Sequence, residues 1–441
     1  MSNTLNRTPA NMVKNHIGEE ILVKGWVHEY RALSKMGFIV LRENLKGKPE
    51  YTQIFIPKAL IPELLRVEST VEIKGIPKLE AQCKYGGIEI VATEINILGL
   101  AEVLPFPLNT PDPIPFNTLN IHRPITLRGA RERAIFIIQS RIVKAYRDHL
   151  NYHGFTEIQS TKLSASGLES GAELFPVKYF GTELFLTQSP QFYKQMMVGA
   201  FERVFEIGKV YRAEGSNTNR HLTEFIGLDL EMGFINSSHD VMDVQERLIQ
   251  DIMSTLNREC DKELEVLGLT PLDMGTGGYH ASIFSNKKIP RMTYSSVMEI
   301  LHTINGAETL NADGEKIISE YAKGVSGCDF LFITDYPENE RPFYVMPKGD
   351  GITDTFDLLY KGIEIASGGA RQHNYGHLID AMIAMKMDPK NFESYLMPFK
   401  YGMPPHGGFG MGLERFIKQL LNLATADEAS LIPRTRERNS H

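Results

Sequence analysis

Residues 201–234, FERVFEIGKVYRAEGSNTNRHLTEFIGLDLEMGF, decide the fold. Apolar and polar residues alternate in both halves of this stretch, as they do in strands whose two faces meet different surroundings. The polar segment GSNTNRH separates the halves, so the sequence predicts a hairpin of two strands. One face is apolar and should pack on a core. The other face carries four charged side chains, Arg212, Glu214, Asp229 and Glu231.

The loop of this hairpin adds Arg220 and His221, which could bind a polyanion together with Arg212. An ordinary amphipathic hairpin with a solvated charged face would show the same alternation, because polar residues normally point outward from a sheet. The rest of the chain must therefore decide between a functional hairpin and a purely structural one.

Composition predicts a cytoplasmic protein of two domains. The chain has 441 residues, of which 42% are hydrophobic and 23% charged, as in soluble globular proteins. It contains no apolar run long enough for a membrane span and does not begin with a signal-peptide pattern. Its three cysteines lack metal-binding spacing and fit a reducing compartment. A net charge of −7 means that any contact with nucleic acid must come from local patches.

Residues 1–104 predict a small β-barrel. Five short alternating segments, the first beginning at Ile21, are separated by turns rich in Gly, Pro and Lys. A five-stranded barrel of this size is typical of the OB-fold, which binds single-stranded nucleic acid on one face. His28, Phe38 and Gln53 could contact bases there. Six prolines between Pro105 and Pro124 then predict an extended linker over residues 105–125.

Residues 126–441 predict an α+β domain. Apolar residues recur at helical spacing from Arg131, and Gly154 ends that helix. The later segments alternate mainly as antiparallel strands with flanking helices, which excludes a doubly wound parallel sheet.

A glycine-rich strand leads into a helix at GGFGMGLERFIKQLL, near the end of the chain. Glycines allow a ligand or another backbone to approach closely, and Arg415 lies in the first helical turn, where anions are favoured. Asp357 and Glu364 flank the turn Lys361-Gly362 and could hold Mg²⁺ together with phosphate oxygens. Solvated strand-end acids are the alternative interpretation.

Three segments resemble the signature motifs of one family. FTEIQSTK, VYRAEGSNTNRHLTEF and GGFGMGLERF resemble motifs 1, 2 and 3 of the class II aminoacyl-tRNA synthetases. QSPQFYKQ and IEIASGGARQH are most similar to the aspartyl enzymes of archaeal and eukaryotic type, within a group that also includes asparaginyl and lysyl enzymes. The resemblance covers the whole chain, and makes residues 1–104 the anticodon-binding domain and residues 126–441 the catalytic domain.

The resemblance implies an aspartate–tRNA ligase that is a cytoplasmic homodimer. Such an enzyme activates L-aspartate with ATP and Mg²⁺ to aspartyl-adenylate, and then transfers the aspartyl group to the 3′ end of tRNA. Motif positions imply that Arg212 and Arg415 are catalytic. They imply an ATP site of Arg212, Glu214, Arg220, His221, Leu222, Glu364, Gly412 and Arg415. They imply an aspartate site of Glu169, Gln191, Lys194, Arg212, Asp229, Ser367 and Arg371. The Mg²⁺ ligands would be Glu364, Ser367 and Asp357, and the anticodon contacts His28, Phe38, Gln53 and Glu80.

The chain also departs from the family pattern. Thr161 replaces the motif 1 proline that supports the dimer, Gly215 and Ser216 replace an acidic residue and a histidine, and the tail LIPRTRERNSH is unusual. These departures keep three alternatives open. The chain could be a relaxed enzyme that charges both aspartate- and asparagine-tRNA, although His28 favours the strict one. It could be a specialised duplicate that activates aspartate or asparagine for another acceptor, or a non-catalytic tRNA-binding paralogue.

Overall fold

A computed structural model describes residues 6–45, 48–108, 114–164, 174–213, 215, 218–269 and 288–437. The chain divides into two units, residues 1–113 and 114–441. This division falls inside the proline-rich segment that the sequence analysis treats as a linker. Within the described ranges, no helix has both the length and the apolar character that a membrane crossing requires.

The first unit contains the closed five-stranded barrel that the alternation predicted. Its strands are β1 (Ile21–Ala32), β2 (Met36–Leu45), β3 (Lys48–Pro57), β4 (Thr70–Leu79) and β5 (Ile88–Gly99), in the spatial order β1-β2-β3-β5-β4. Only the β3–β5 pairing is parallel. Every second residue points inward, so aliphatic side chains such as Val27, Ile39 and Ile54 are completely buried and fill the barrel.

The second unit is built on an eight-stranded sheet with the order β12-β13-β16-β17-β18-β11-β10-β6. Its pairings are antiparallel except for β12–β13 and β6–β10, which confirms the α+β prediction. The strands are β6 (Thr156–Glu157), β10 (Arg203–Tyr211), β11 (Glu224–Gly233), β12 (Arg291–Thr293), β13 (Phe330–Thr334), β16 (Thr355–Tyr360), β17 (Ile363–Arg371) and β18 (His406–Gly412). A small three-stranded sheet contains β7 (Leu163–Ser164), β8 (Pro176–Tyr179) and β9 (Thr182–Leu186). A two-stranded sheet contains β14 (Pro347–Gly349) and β15 (Ile352–Thr353).

Helices flank this sheet, and apolar side chains of the third and fifth helices share its main core. The helices are α1 (Phe116–Ile121), α2 (Arg123–Thr126), α3 (Ala130–Tyr152), α4 (Gln191–Phe201), α5 (Ser238–Glu259), α6 (Asp261–Val266), α7 (Tyr294–Asn305), α8 (Ala312–Ser326), α9 (Tyr375–Ala384), α10 (Glu393–Lys400) and α11 (Leu413–Leu420). Helix α3 ends before Gly154, whose φ of +77° is left-handed, as the sequence predicted.

The sequence predicted an extended linker over residues 105–125, but its last part is helical. Helix α1 and most of α2 lie within this range. Pro115 is the N-cap of α1, and Pro124 lies in the first turn of α2. A proline is tolerated at a helix start because no intrahelical partner exists there for the missing N–H group. Prolines at helix starts therefore resemble those of an extended linker in the sequence alone.

The hairpin β10–β11 lies towards one end of the sheet, between β18 and the edge strand β6, and its two faces are largely buried. Phe205, Leu228 and Leu230 are fully buried in the core on one side. On the other side Asp229 is only 5% exposed and Glu231 is 0% exposed. The interpretation of an ordinary hairpin with a solvated charged face is therefore wrong.

The glycines of β18 make room for these buried carboxylates. Strand β18 lies between β11 and β17, with Gly408 opposite Glu231 and Gly369. A Cβ atom on Gly408 would lie 2.0 Å from the carbonyl oxygen of Leu230 and 2.3 Å from Oε2 of Glu231. Both distances are far below van der Waals contact, so this position requires glycine.

We expect Gly408→Ala to destabilise the protein by about 3 kcal/mol or more, because the new methyl group would clash with backbone and with a buried carboxylate, neither of which can move away easily. Gly199→Ala is the matched control, since Gly199 is an exposed position of α4 whose nearest neighbour to a new Cβ is Met403 Sδ at 3.7 Å. That control should stabilise the helix by about 0.5–1 kcal/mol. Thermal unfolding of both variants measures the difference, and equal melting temperatures would contradict it.

Candidate active site

A cavity of about 950 Å³ opens on the face of the sheet formed by the hairpin, β17 and β18. Most of the residues that the motifs implied for ATP and aspartate line this one cavity: Gln191, Arg212, Arg220, His221, Leu222, Asp229, Glu364, Ser367, Arg371, Gly412 and Arg415. Glu169 and Glu214 lie outside the described residues. The structure thus brings together side chains that are up to 224 positions apart in the sequence, from Gln191 to Arg415.

One end of the cavity is built on four buried charges. Lys194 donates from Nζ to Asp229 Oδ1 at 2.9 Å and lies 3.5 Å from Glu231 Oε2. Arg371 donates from Nε to Glu231 Oε1 at 2.8 Å. We call these four residues, Lys194, Asp229, Glu231 and Arg371, the buried quartet. Two cations face two carboxylates, so the quartet is neutral overall.

Glu231 is the member of the quartet that motif matching did not assign. Although burial opposes its ionisation, the charges of Arg371 and Lys194 keep the pKa of Glu231 below its usual value. Lys194 is only 1% exposed and does not line the cavity, unlike Asp229 and Arg371. The Lys194 ammonium also donates to the Phe409 carbonyl at 2.9 Å. Lys194 therefore stabilises the floor of the site behind Asp229.

Three arginines surround the other end of the cavity. Arg212 lies over the ring of Phe225 at 5.5 Å, and its buried Nε has no hydrogen-bond partner among the described residues. Arg220 pairs with Glu315 at 3.3 Å. Arg415 donates to the backbone carbonyls of Arg220 at 3.3 Å and Glu364 at 3.4 Å. Half-buried guanidinium groups that line a cavity are suited to a polyphosphate.

Glu364 and Ser367 have the chemistry of a partial Mg²⁺ site. No hydrogen bond or ion pair engages the Glu364 carboxylate within the described part of the chain, and burial, together with Asp357 and Glu315, raises its pKa. No group of three or more acidic, His or Cys residues that could hold a metal occurs among those residues either. Glu364 and the Ser367 hydroxyl fit Mg²⁺ only if phosphate oxygens and water complete its coordination.

The structure gives Asp357, the third implied metal ligand, a different neighbour. Both of its carboxylate oxygens accept from Arg341, at 3.1 and 2.8 Å, and Arg341 also donates to Ser367 Oγ at 3.1 Å. The Arg341 guanidinium stacks on Tyr336, with 3.7 Å to the ring centroid. Asp357 lines a smaller cavity of about 170 Å³, which shares Arg341 and Glu364 with the large one.

Sequence reasoning placed Glu231 on the charged face of the hairpin but gave it no role, and it missed four further residues at the site: Glu315, Tyr336, Arg341 and Glu414. Glu414 accepts from the backbone N–H of Ile226 at 3.0 Å and thereby joins α11 to β11. Burial raises the pKa of its carboxyl to about 7. Glu414 precedes Arg415 in a segment that was singled out, so its position was an available signal. Nothing in the local sequence marks Arg341.

The four implied anticodon contacts are all in the barrel. The β1–β2 register shifts between Val27 and Glu29, which places His28 at a bulge. The centroid of the His28 ring lies 4.8 Å from that of the Tyr51 ring, and the Tyr51 and Tyr85 ring centroids are 5.9 Å apart. Phe38 packs edge-on against Phe55, at 5.7 Å.

Gln53 is two residues before Phe55 on β3 and therefore shares its face, and its amide donates to Glu89 at 2.7 Å. Glu80 directly follows β4 and lies 3.7 Å from Lys78. The aromatic rings of Tyr51 and Tyr85 near His28 were not predicted. Stacked or splayed bases are the ligands that such a mixed aromatic and polar face accommodates.

Comparison with known proteins agrees with this geometry. The family model described as "tRNA synthetases class II (D, K and N)" matches residues 117–436. The chain is 40% identical to the aspartate–tRNA(Asp/Asn) ligase of Deinococcus radiodurans, with 99% of each chain covered. It is 36% identical to the aspartate–tRNA(Asp) ligase of Pyrococcus abyssi, with 96% of each chain covered.

Solved structures give the same result. An asparaginyl-tRNA synthetase from Pyrococcus horikoshii, in complex with asparaginyl-adenylate, is similar with a TM-score of 0.87 and 28% identity, covering 99% of this chain and 100% of the other. An aspartyl-tRNA synthetase from Entamoeba histolytica is similar with a TM-score of 0.82 and 27% identity, and the match covers 100% of this chain and 94% of the other. With its barrel, its antiparallel sheet and its arginine-lined cavity, this chain belongs to the class II aminoacyl-tRNA synthetases of the aspartate, lysine and asparagine group.

Proposed function

We propose that this protein is an aspartate–tRNA ligase. It activates L-aspartate with ATP to give aspartyl-adenylate and pyrophosphate, and then transfers the aspartyl group to the 3′-hydroxyl of the terminal adenosine of tRNA. The observation that carries this proposal is the buried quartet at one end of a cavity whose other end holds three arginines. The 40% identical ligase from Deinococcus radiodurans supports it over nearly the whole chain.

The choice of aspartate follows from the charges of the quartet. Arg371 lines the cavity while Lys194 stabilises its floor, so the site presents one buried guanidinium group to a ligand. A substrate carboxylate accepts from this guanidinium and adds a favourable charge interaction, whereas the amide of asparagine is neutral and would turn a donor NH₂ group towards the site. The charge interaction is lost with asparagine, so the site should discriminate strongly against it. Asp229, together with Glu169, would receive the α-ammonium group.

The arginines would act on the nucleotide. Arg212 would contact both the α-phosphate and the reacting carboxylate, and so neutralise charge that builds up during attack on the α-phosphorus. Arg220 and His221 would hold the outer phosphates, and Arg415 the adenine or the γ-phosphate. Glu214, Leu222 and Gly412 would complete the ATP site. Mg²⁺, held by Glu364 and Ser367, would neutralise phosphate charge when bound.

No covalent enzyme intermediate is needed, so positioning and charge stabilisation account for catalysis. We propose that residues 1–104 bind the anticodon through His28, Phe38, Gln53 and Glu80, and that residues 126–441 catalyse both steps after the linker at 105–125. We further propose a homodimer, as in the aspartyl enzymes that the chain resembles, with Thr161 at the position of the missing proline. ATP and tRNA as substrates favour the cytoplasm as its location.

A relaxed tRNA specificity is the second candidate, and one observation favours it. The relatives from Deinococcus radiodurans and Thermus thermophilus, at 40% and 38% identity, are both named for aspartate- and asparagine-tRNA. His28, at the bulge of β1, favours the strict enzyme instead, because in the family that the chain resembles a histidine at this position tends to accompany reading of the aspartate anticodon alone. The experiment is side-by-side charging of purified aspartate-tRNA and asparagine-tRNA with aspartate.

Each outcome of this charging experiment has one meaning. Charging of the first tRNA alone makes the protein a strict enzyme, and charging of both makes it a relaxed one. If neither is charged while aspartate still drives pyrophosphate exchange, the protein is a specialised duplicate with another acceptor. If exchange is absent as well, the protein is a non-catalytic paralogue and the proposal is wrong.

We expect Arg212→Ala to slow aspartate-dependent ATP–pyrophosphate exchange by about 10²- to 10³-fold, the usual effect of removing one charge-stabilising donor from a transition state. Lys209→Ala is the matched control, because Lys209 lies on β10 just before Arg212, forms an ion pair with the partly exposed Glu224 and lies outside the cavity. It should leave exchange within about twofold, as expected of a surface ion pair. Near-normal exchange by the Arg212 variant would contradict the assignment.

Replacement of Lys194 by Met should raise the KM for aspartate at least about tenfold, and change the KM for ATP much less. Methionine keeps the length of the side chain but removes the charge that compensates Asp229 and Glu231. Steady-state exchange kinetics on protein of verified folding measure both constants. An equal loss of affinity for both substrates would assign Lys194 a purely structural role.

A further inference from the structure

A chain of buried polar side chains leads away from the cavity behind Gln191. Its members are Gln195 on α4, Tyr395 on α10 and His406 on β18, which are 0%, 3% and 1% exposed. None of these three lines the cavity, whereas Gln191 does. Buried polar groups in such numbers have to be hydrogen-bonded in one consistent pattern.

His406 sets the direction of this pattern. Its Nδ1 lies 2.8 Å from the carbonyl oxygen of Pro404, which can only accept, so Nδ1 carries the proton. Burial, together with the charge of Arg371, lowers the pKa of His406 despite the opposing influence of Glu231, which favours the neutral imidazole with its single proton on Nδ1. Its Nε2 is therefore an acceptor, and it lies 3.2 Å from Gln195 Nε2, which must donate to it.

The orientation of Gln195 then fixes that of Gln191. With its nitrogen turned to His406, Gln195 presents Oε1 to the hydroxyl of Tyr395 at 3.1 Å and to Gln191 Nε2 at 3.0 Å. The hydroxyl and the Gln191 amide nitrogen are the donors. Gln191 Oε1 in turn faces Arg371 NH2 at 3.5 Å. Each hydrogen bond in this series, which starts at the backbone carbonyl of Pro404, therefore has only one possible direction from donor to acceptor.

This direction determines what Gln191 offers to a ligand. Among the described residues, one N–H of its amide donates to Gln195 and its oxygen faces Arg371, and because Gln191 lines the cavity we assign its second N–H to a ligand there. A carboxylate accepts from that donor. With the amide reversed, Gln191 would present its oxygen, which repels a carboxylate and suits the NH₂ group of an amide side chain.

We propose that Gln195, His406 and Tyr395 are positioning residues that fix the amide direction of Gln191 and thereby favour a substrate carboxylate over an amide. This inference rests on the proposed function, because it concerns the amino acid that the site would activate. These hydrogen-bonded side chains favour one substrate indirectly, because they set the orientation of Gln191, which lines the cavity. It adds to the charges of the buried quartet, which would attract the same carboxylate.

The test is aspartate- and asparagine-dependent ATP–pyrophosphate exchange by Gln195→Met, which keeps the length of the side chain and removes its three hydrogen bonds, to His406, Tyr395 and Gln191. We expect the KM for aspartate to rise about tenfold, as for the loss of one hydrogen bond of ordinary strength, and the KM for ATP to stay within about twofold. The preference for aspartate over asparagine should fall by a similar factor. Tyr395→Phe removes one donor but leaves the direction unchanged, so it should alter the preference less than about threefold.

His406 provides a rescue experiment. His406→Leu should reproduce the effect of Gln195→Met, whereas His406→Gln retains an acceptor and should recover most of the aspartate preference. Folded variants whose aspartate preference equals that of the wild type would overturn the inference, as would parallel changes in both KM values. A wild-type protein without aspartate-dependent exchange would overturn the proposed function and this inference with it. An active wild type with insensitive variants overturns the inference alone.

Discussion

The salt-bridged contact between Arg371 and Glu231, with Lys194 and Asp229 beside it, is the interaction on which the rest of the catalytic unit depends. Removing one partner from a buried ion pair leaves an uncompensated charge and typically costs about 3–5 kcal/mol. All four residues are at least 95% buried. They come from α4, β11 and β17, so the strand order of the sheet must be correct before any of these charges is compensated.

The glycine-rich strand β18 is the structural consequence of this arrangement. It lies between β11 and β17, and the space that side chains would occupy at Gly408 and Gly410 is taken by the carboxylates of Glu231 and Asp229. The same strand leads into α11, where Arg415 lines the arginine-rich end of the cavity and Glu414 accepts from the backbone of β11. One short segment thus supports both the buried quartet and the arginine-rich end of the cavity.

Much of the fold follows from the sequence, because strands in a barrel and in a hairpin leave a period of two that is visible locally. The alternation in residues 201–234 separated the two faces of the hairpin correctly. It did not reveal that the charged face is buried, since burial depends on β18 and α4, which are distant in the chain. Helices α1 and α2 were missed because prolines at helix starts and prolines in linkers look alike in sequence.

The site residues were predictable where a motif carries them and unpredictable where only packing does. Arg212 and Arg415 belong to recognisable segments and do line the cavity. Arg341 follows a short polar stretch with no pattern, yet it binds Asp357 in a bidentate pair and contacts Ser367. The positions of Gln195 and His406 in one hydrogen-bonded chain depend on bringing α4 next to β18, which no local signal encodes.

A neutral cluster of buried charges, from which the Arg371 guanidinium is available to the cavity, would make the site specific for a carboxylate side chain. The most direct measurement is kcat/KM for ATP–pyrophosphate exchange by the wild-type protein with L-aspartate and with L-asparagine at equal pH and salt. We expect a preference for aspartate of about 10⁴-fold or more, as for sites that leave buried polar groups unpaired with the wrong substrate. Comparable values for the two amino acids, or a preference for asparagine, would contradict it.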